Sequence, residues 1–170
     1  VNIAKNINLI DIGSVSQEFI KQYHGNTSIT AYLYEDFLKE YDTLKGTENR
    51  KESGVYYTPK EVTRFIAKSV QEIIKNQFGQ QAGFLAPEVK VLDFACGTGT
   101  FIDSVYELML NPHASPLEKQ KIKEKILKDI YGFELLFTPY IVAHTVLTKF
   151  LKDNGVNIAS GDRLPVYLTN

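Results

Sequence analysis

The run Val89-Lys90-Val91-Leu92-Asp93-Phe94 leads into the turn Gly97-Thr98-Gly99, and a helical pattern follows over about 100–110. This unit of strand, glycine turn and helix constrains the fold more than any other feature. Parallel strands are joined by crossovers, usually helices, so a strand that runs into a helix is one half of such a unit. Neighbours follow in sequence. Ile130-Tyr131-Gly132-Phe133-Glu134 reads as a second strand, and Val156-Asn157-Ile158-Ala159 as a third. Helices lie between them. Ser115-Pro116-Leu117-Glu118 is a capping box that opens a charged helix over 117–129. Thr138-Pro139 opens another, apolar at Ile141, Val142, Val146, Leu147 and Phe150 and ending near Gly155. This alternation predicts a parallel α/β sheet with right-handed crossovers.

The sequence upstream is helical in pattern. Residues 15–24 and 28–43 read as helices, the second striped by Tyr32, Leu33, Phe37, Leu38, Tyr41 and Leu44. A polar loop over 45–54 follows. Thr58-Pro59-Lys60-Glu61 then predicts a helix start, with Thr58 as N-cap, Pro59 in the first position and Glu61 closing a capping box. Val62, Phe65, Ile66, Ser69, Val70 and Ile73 give that helix its expected buried face. The division expected is a helical N-terminal subdomain over 1–53 and a sheet domain over 54–170.

Composition narrows the function classes. The chain has 170 residues, 44% hydrophobic and 23% charged, the balance of an ordinary globular domain. Basic and acidic residues number 19 and 20. A surface that wraps nucleic acid is usually basic, so any nucleic-acid contact must use a local patch or a part of the protein outside this chain. The single cysteine, Cys96, excludes an internal disulfide and fits a reducing cytoplasm. Three scattered histidines do not make a zinc site, and no metal is expected. No apolar run approaches the length of a membrane span, so no membrane contact is expected.

In an open parallel sheet, ligands bind beyond the carboxyl ends of the strands. Asp93, Glu134 and Asp162 fall at such ends as the strands are read here. The dinucleotide fingerprint needs a third glycine where this chain has Ile102. Asp93 would also repel a pyrophosphate seated on the following helix. S-adenosylmethionine carries an ammonium and a sulfonium and no phosphate, and an acidic strand end beside open glycines suits it better. Glu134 then accepts from the ribose hydroxyls and Asp162 from the adenine amino group.

These residues carry a family resemblance. Val91-Leu92-Asp93-Phe94-Ala95-Cys96-Gly97-Thr98-Gly99 resembles the first motif of S-adenosylmethionine-dependent DNA methyltransferases. Gly54-Val55-Tyr56-Tyr57-Thr58-Pro59 resembles the upstream motif of the N6-adenine subgroup. Tyr131-Gly132-Phe133-Glu134 is similar to the second motif, and Ser160-Gly161-Asp162-Arg163-Leu164 to the third. The segment 34–42 is similar to the single-chain restriction–modification enzymes, of type ISP or type IIG. The resemblance implies a Rossmann-like methyltransferase fold, S-adenosylmethionine as cofactor, and double-stranded DNA as partner of the full-length protein. By it Tyr57 and Thr58 belong to the cofactor site, with Thr58 on the methionine carboxylate. Asp93, Ala95, Cys96 and Gly97 would line the methionine part, and Gly99 also belongs to the cofactor site. Glu134 would take the ribose, Leu135 the face of the adenine, and Asp162, with Arg163 beside it, the adenine amino group.

Two departures from the family pattern stand out. Gly99 and Glu134 lie further apart than the roughly 20 positions of a compact nucleotide-binding unit, and the excess matches the helix over 117–129. The catalytic run, Asn or Asp followed by Pro-Pro and an aromatic residue, does not occur in the chain. The chain therefore reads as the N-terminal part of a larger adenine methylase, and no catalytic residue is assigned. The alternatives are a methyltransferase acting on RNA, protein or a small molecule, and a non-catalytic binding module that kept the fold.

Overall fold

The computed structural model describes residues 58–159 and 161–169. The helices expected over 15–24 and 28–43, the subdomain boundary at 53 and the site residue Tyr57 lie outside the described residues. Within them the order is helix α1 (Lys60–Gln77), a 3-10 turn (Gly83–Leu85), strand β1 (Val91–Asp93), α2 (Thr100–Met109), α3 (Pro116–Asp129), β2 (Ile130–Glu134), α4 (Phe137–Asp153) and β3 (Val166–Leu168). The strands form one parallel sheet in the order β1-β2-β3. The α/β architecture expected from the glycine-turn unit is the one observed.

Local chemistry explains most of the boundaries. Ser115 caps α3 through a complete capping box with Glu118, as its spacing predicts. The Ser115 bonds also hold the Glu118 carboxyl below its usual range. Gly99, at φ 85°, turns the chain from the loop into α2. A side chain there would press on Leu147 and Ala143, so this glycine also lets α2 pack closely on α4. The core gathers Ile102 and Tyr106 of α2, Ile126 of α3, Ile130 of β2, Leu147 and Leu151 of α4, and Val166 of β3. His144 of α4 is tied to the backbone carbonyl of Val166, 3.1 Å away.

Three expectations are corrected. The third strand is Val166–Leu168 and not residues 156–159. The reason lies in how α4 ends. Gly155 N–H bonds the carbonyl of Lys152, and Val156 N–H that of Leu151, which together make a Schellman motif. Val156 is the apolar residue that closes this motif, so it is buried in the core without pairing to a strand.

The helix starts at Thr58 and Thr138 also differ. Pro59, with extended ψ, is the N-cap of α1, and no side chain caps that helix. The N-cap of α4 is Leu136, and its N–H is taken by the Glu134 side chain at 2.7 Å.

Finally, the face that α1 buries is Thr63 and Ala67. Val62, Phe65, Ile66, Val70 and Ile73 are exposed, Phe65 by 71%. Polar and small residues make the α1–α2 seam: Thr63 Oγ1 lies 2.8 Å from Ser104 Oγ, and Arg64 pairs with Glu107 at 3.0 Å. Among the described residues that apolar stripe is not what α1 buries; its Ile66 and Val70 line a groove with Phe84 and Phe101.

Candidate functional site

Two loops meet at the carboxyl ends of β1 and β2. Alternation along β2 puts Ile130, Gly132 and Glu134 on the buried face, which leaves Glu134 only 8% exposed at the strand end. Its carboxylate spans both loops. One oxygen accepts from Gly97 N–H at 2.8 Å, and the other from Leu136 N–H at 2.7 Å. Cys96 N–H bonds the carbonyl of Phe133 at 2.9 Å, so the glycine turn is also stitched to β2 through the backbone. Glu134 therefore positions the turn and opens α4 at the same time.

Asp93 is the last residue of β1. Its Oδ1 accepts from Ala95 N–H at 3.2 Å, while Oδ2 is buried with no hydrogen-bond partner among the described residues. Burial pushes the Asp93 carboxyl above its usual range, and the neighbouring Glu134 adds to this against the Ala95 bond. A buried carboxylate oxygen without a donor is costly. A ligand bringing a positive charge or an N–H would offset that cost.

The glycines differ in role. Gly97, at φ 55°, has nothing within 4 Å of where a side chain would stand, so a ligand can lie against its backbone. Gly132 makes room inward: a side chain there would meet Ile102 Cδ1 at 2.7 Å and Cys96 Sγ at 3.1 Å. Cys96 is buried against that gap, and burial pushes its thiol up to about 12. It is a packed wall of the turn and no nucleophile. Leu135 stands 67% exposed just past Glu134, and Phe94 and Phe137 are exposed at the same end of the sheet. Asp93 also lines an apolar groove of about 280 Å³ with Ile66, Val70, Phe84, Leu92 and Phe101.

The structure thus brings together Asp93, Ala95, Cys96, Gly97, Gly99, Glu134 and Leu135, at the ends of β1 and β2 and in the two loops that follow them. Thr58 directly precedes the N-cap of α1 and is not used to cap it. Asp162 is not brought to this place, and Arg163 reaches only the first turn of α4, through Tyr140. They precede β3 and so lie towards its amino end, because the strand begins at Val166. Lys123 of α3 pairs with Asp162 at 2.6 Å and holds its carboxyl below the usual range. The Arg163 guanidinium donates to the Tyr140 hydroxyl at 2.6 Å. At the carboxyl end of β3 stands Thr169, whose N–H bonds the carbonyl of Glu134 at 2.8 Å. Sequence reasoning missed it. The alternation of Leu164, Val166 and Leu168 behind Pro165 was the signal available.

A parallel sheet with helical crossovers and a glycine turn after its first strand defines a Rossmann-like α/β domain. The family model for N-6 DNA methylase matches residues 26–165, and the chain belongs to that family. Solved structures share the fold. The DrdV–DNA complex aligns with 86% of this chain at 22% identity and a TM-score of 0.65. A nuclease-deletion mutant of the type ISP restriction–modification enzyme LlaGI, in complex with a DNA substrate mimic, aligns with 79% at 24% identity and 0.54. The ATP-dependent type ISP enzyme LlaBIII, bound to DNA, aligns with 68% at 24% identity and 0.54. This chain spans only 13%, 11% and 8% of those chains. No curated protein matches it significantly.

Proposed function

We propose that this chain is the cofactor-binding part of a DNA adenine-N6 methyltransferase of a restriction–modification system, with S-adenosylmethionine as cofactor and a flipped adenine as acceptor. The observation that carries the reading is the buried, unpartnered Oδ2 of Asp93 beside the open backbone of Gly97. That pair fits a ligand that is cationic and lies flat against the turn. When bound, the cofactor supplies an activated methyl group on a sulfonium.

The residues of this chain bind and orient. Asp93 holds the cationic methionine part, against the turn formed by Ala95, Cys96, Gly97 and Gly99. Thr58, unused as a cap, takes the methionine carboxylate, and Tyr57 belongs to the same segment. A carboxylate offers about four acceptor positions, and Glu134 spends two on backbone N–H groups. The two that remain serve the ribose hydroxyls. Leu135 covers one face of the adenine. Asp162, proposed from the sequence for the adenine amino group, is replaced in this reading by the chain around Thr169. Positioning of this kind is the protein's main contribution when the cofactor carries the reactive group.

Calorimetric titration of S-adenosylmethionine into the intact protein tests the site. Asp93→Ala and Glu134→Ala should each weaken binding about tenfold or more; unchanged affinity in both overturns the assignment. Labelled methyl groups recovered on the N6 of adenine in unmethylated DNA support the acceptor. Label recovered on RNA or protein overturns it.

A further inference from the structure

Lys60 touches more of the molecule than an N-terminal helix residue usually does. Its Nζ lies 3.1 Å from Asp103 Oδ2 and 4.0 Å from Glu107 Oε2 on α2, and 5.8 Å from the centre of the Phe150 ring on α4. The pair is enclosed, with side chains 13% and 2% exposed. Both Asp103 carboxylate oxygens are buried without a hydrogen-bond partner among the described residues, and the Lys60 ammonium is the charge that balances them. Burial pushes the Asp103 carboxyl up, and Lys60 opposes it.

Position gives this pair its interest. Lys60 stands two residues after Thr58. Asp103 stands in the first turn of α2, its N–H bonded to the carbonyl of Gly99 at 2.8 Å. The rest of the seam is Thr63, Ala67 and Ser104, with the half-exposed Arg64–Glu107 pair further along it. A buried ion pair adds little net stability over an apolar replacement, but its directional contacts can fix a register.

We infer that Lys60 and Asp103 are positioning residues that lock the Thr58 segment in register with the Gly97–Gly99 turn, and so hold the two halves of the cofactor site together. The inference rests on the reading of the site given above.

The test uses the intact protein, thermal unfolding and titration with S-adenosylmethionine. The neutralised pair Lys60→Met with Asp103→Asn should melt close to the parent and bind cofactor about tenfold more weakly. Thr58→Ala should weaken the parent but cost nothing further in that background, because the two act through one contact. Lys60→Arg, which keeps the charge, should restore most of the affinity. Parental affinity in the neutralised pair, with Asp93→Asn still weakened, overturns the inference and leaves the site standing. Parental affinity in both Asp93→Asn and Glu134→Ala overturns the inference and the site together. If the neutralised pair does not fold, Lys60→Gln combined with Thr58→Ala decides: losses of affinity that add overturn the inference.

Discussion

Asp93 sets function against stability at a single residue. Its carboxyl is raised by burial, so the folded protein holds that proton after the unfolded chain has released it. The stability this group contributes is present at low pH and is lost as pH rises through its folded value. Asp93→Asn removes that loss. The ligand-free variant should therefore be as stable as the parent or more so, by up to ~1 kcal/mol at neutral pH. The gain should shrink towards acid pH, measured by urea unfolding across that range. The same variant should lose cofactor affinity. Thr58→Ala tests a neighbouring point. Since Thr58 caps nothing, its removal should change stability by less than about 0.5 kcal/mol. Ser115→Ala, which breaks a complete capping box, should cost about 1 kcal/mol. The two serine and threonine positions look alike in sequence, both before proline, and only the structure separates them.

At the scale of elements, β2 is shaped by what lies under it. Gly132→Ala would drive a methyl group to 2.7 Å from Ile102 Cδ1. Overpacking of this kind costs about 1–3 kcal/mol. Ile102→Val removes the obstructing atom and alone should cost about 1 kcal/mol. The double variant should be more stable than the sum of the two predicts, a coupling that denaturant unfolding of all four proteins measures. The first two strands were legible because each combines β-rich residues with an acidic or glycine-marked end. The third was not, because Val156 and Ile158 have the alternation of a strand while Val156 serves the end of α4. That displacement carried Asp162 from the expected ligand end of the sheet towards the other one. The face of α1 was misread for a related reason. Periodicity finds apolar residues, whereas this helix docks through Thr63, Ala67 and charge pairs. The part of the site formed by Asp93, Gly97 and Glu134 was readable because it sits next to the strand ends in sequence.

Across the whole molecule, the sheet domain is tied together by a buried lysine far from the site. Lys125 of α3 donates to the carbonyls of Pro87 at 3.3 Å and Val89 at 2.6 Å, just before β1, and to Asp129 Oδ2 at 2.9 Å. Both members of the pair are nearly enclosed. The contact fixes α3 to the chain that leads into β1, so the helix inserted between Gly99 and Glu134 braces the strand that ends at Asp93. Lys125→Met leaves a buried carboxylate bare and should cost about 3–5 kcal/mol. Adding Asp129→Leu removes that bare charge and should recover part of the loss. Recovery stays incomplete, because the Pro87 and Val89 carbonyls lose a donor that no apolar side chain replaces, at about 1 kcal/mol or more each. Denaturant unfolding of the single and double variants measures the difference. Full recovery in the double variant would mean that the lysine matters only as the partner of Asp129, and that the tie to the β1 approach contributes nothing.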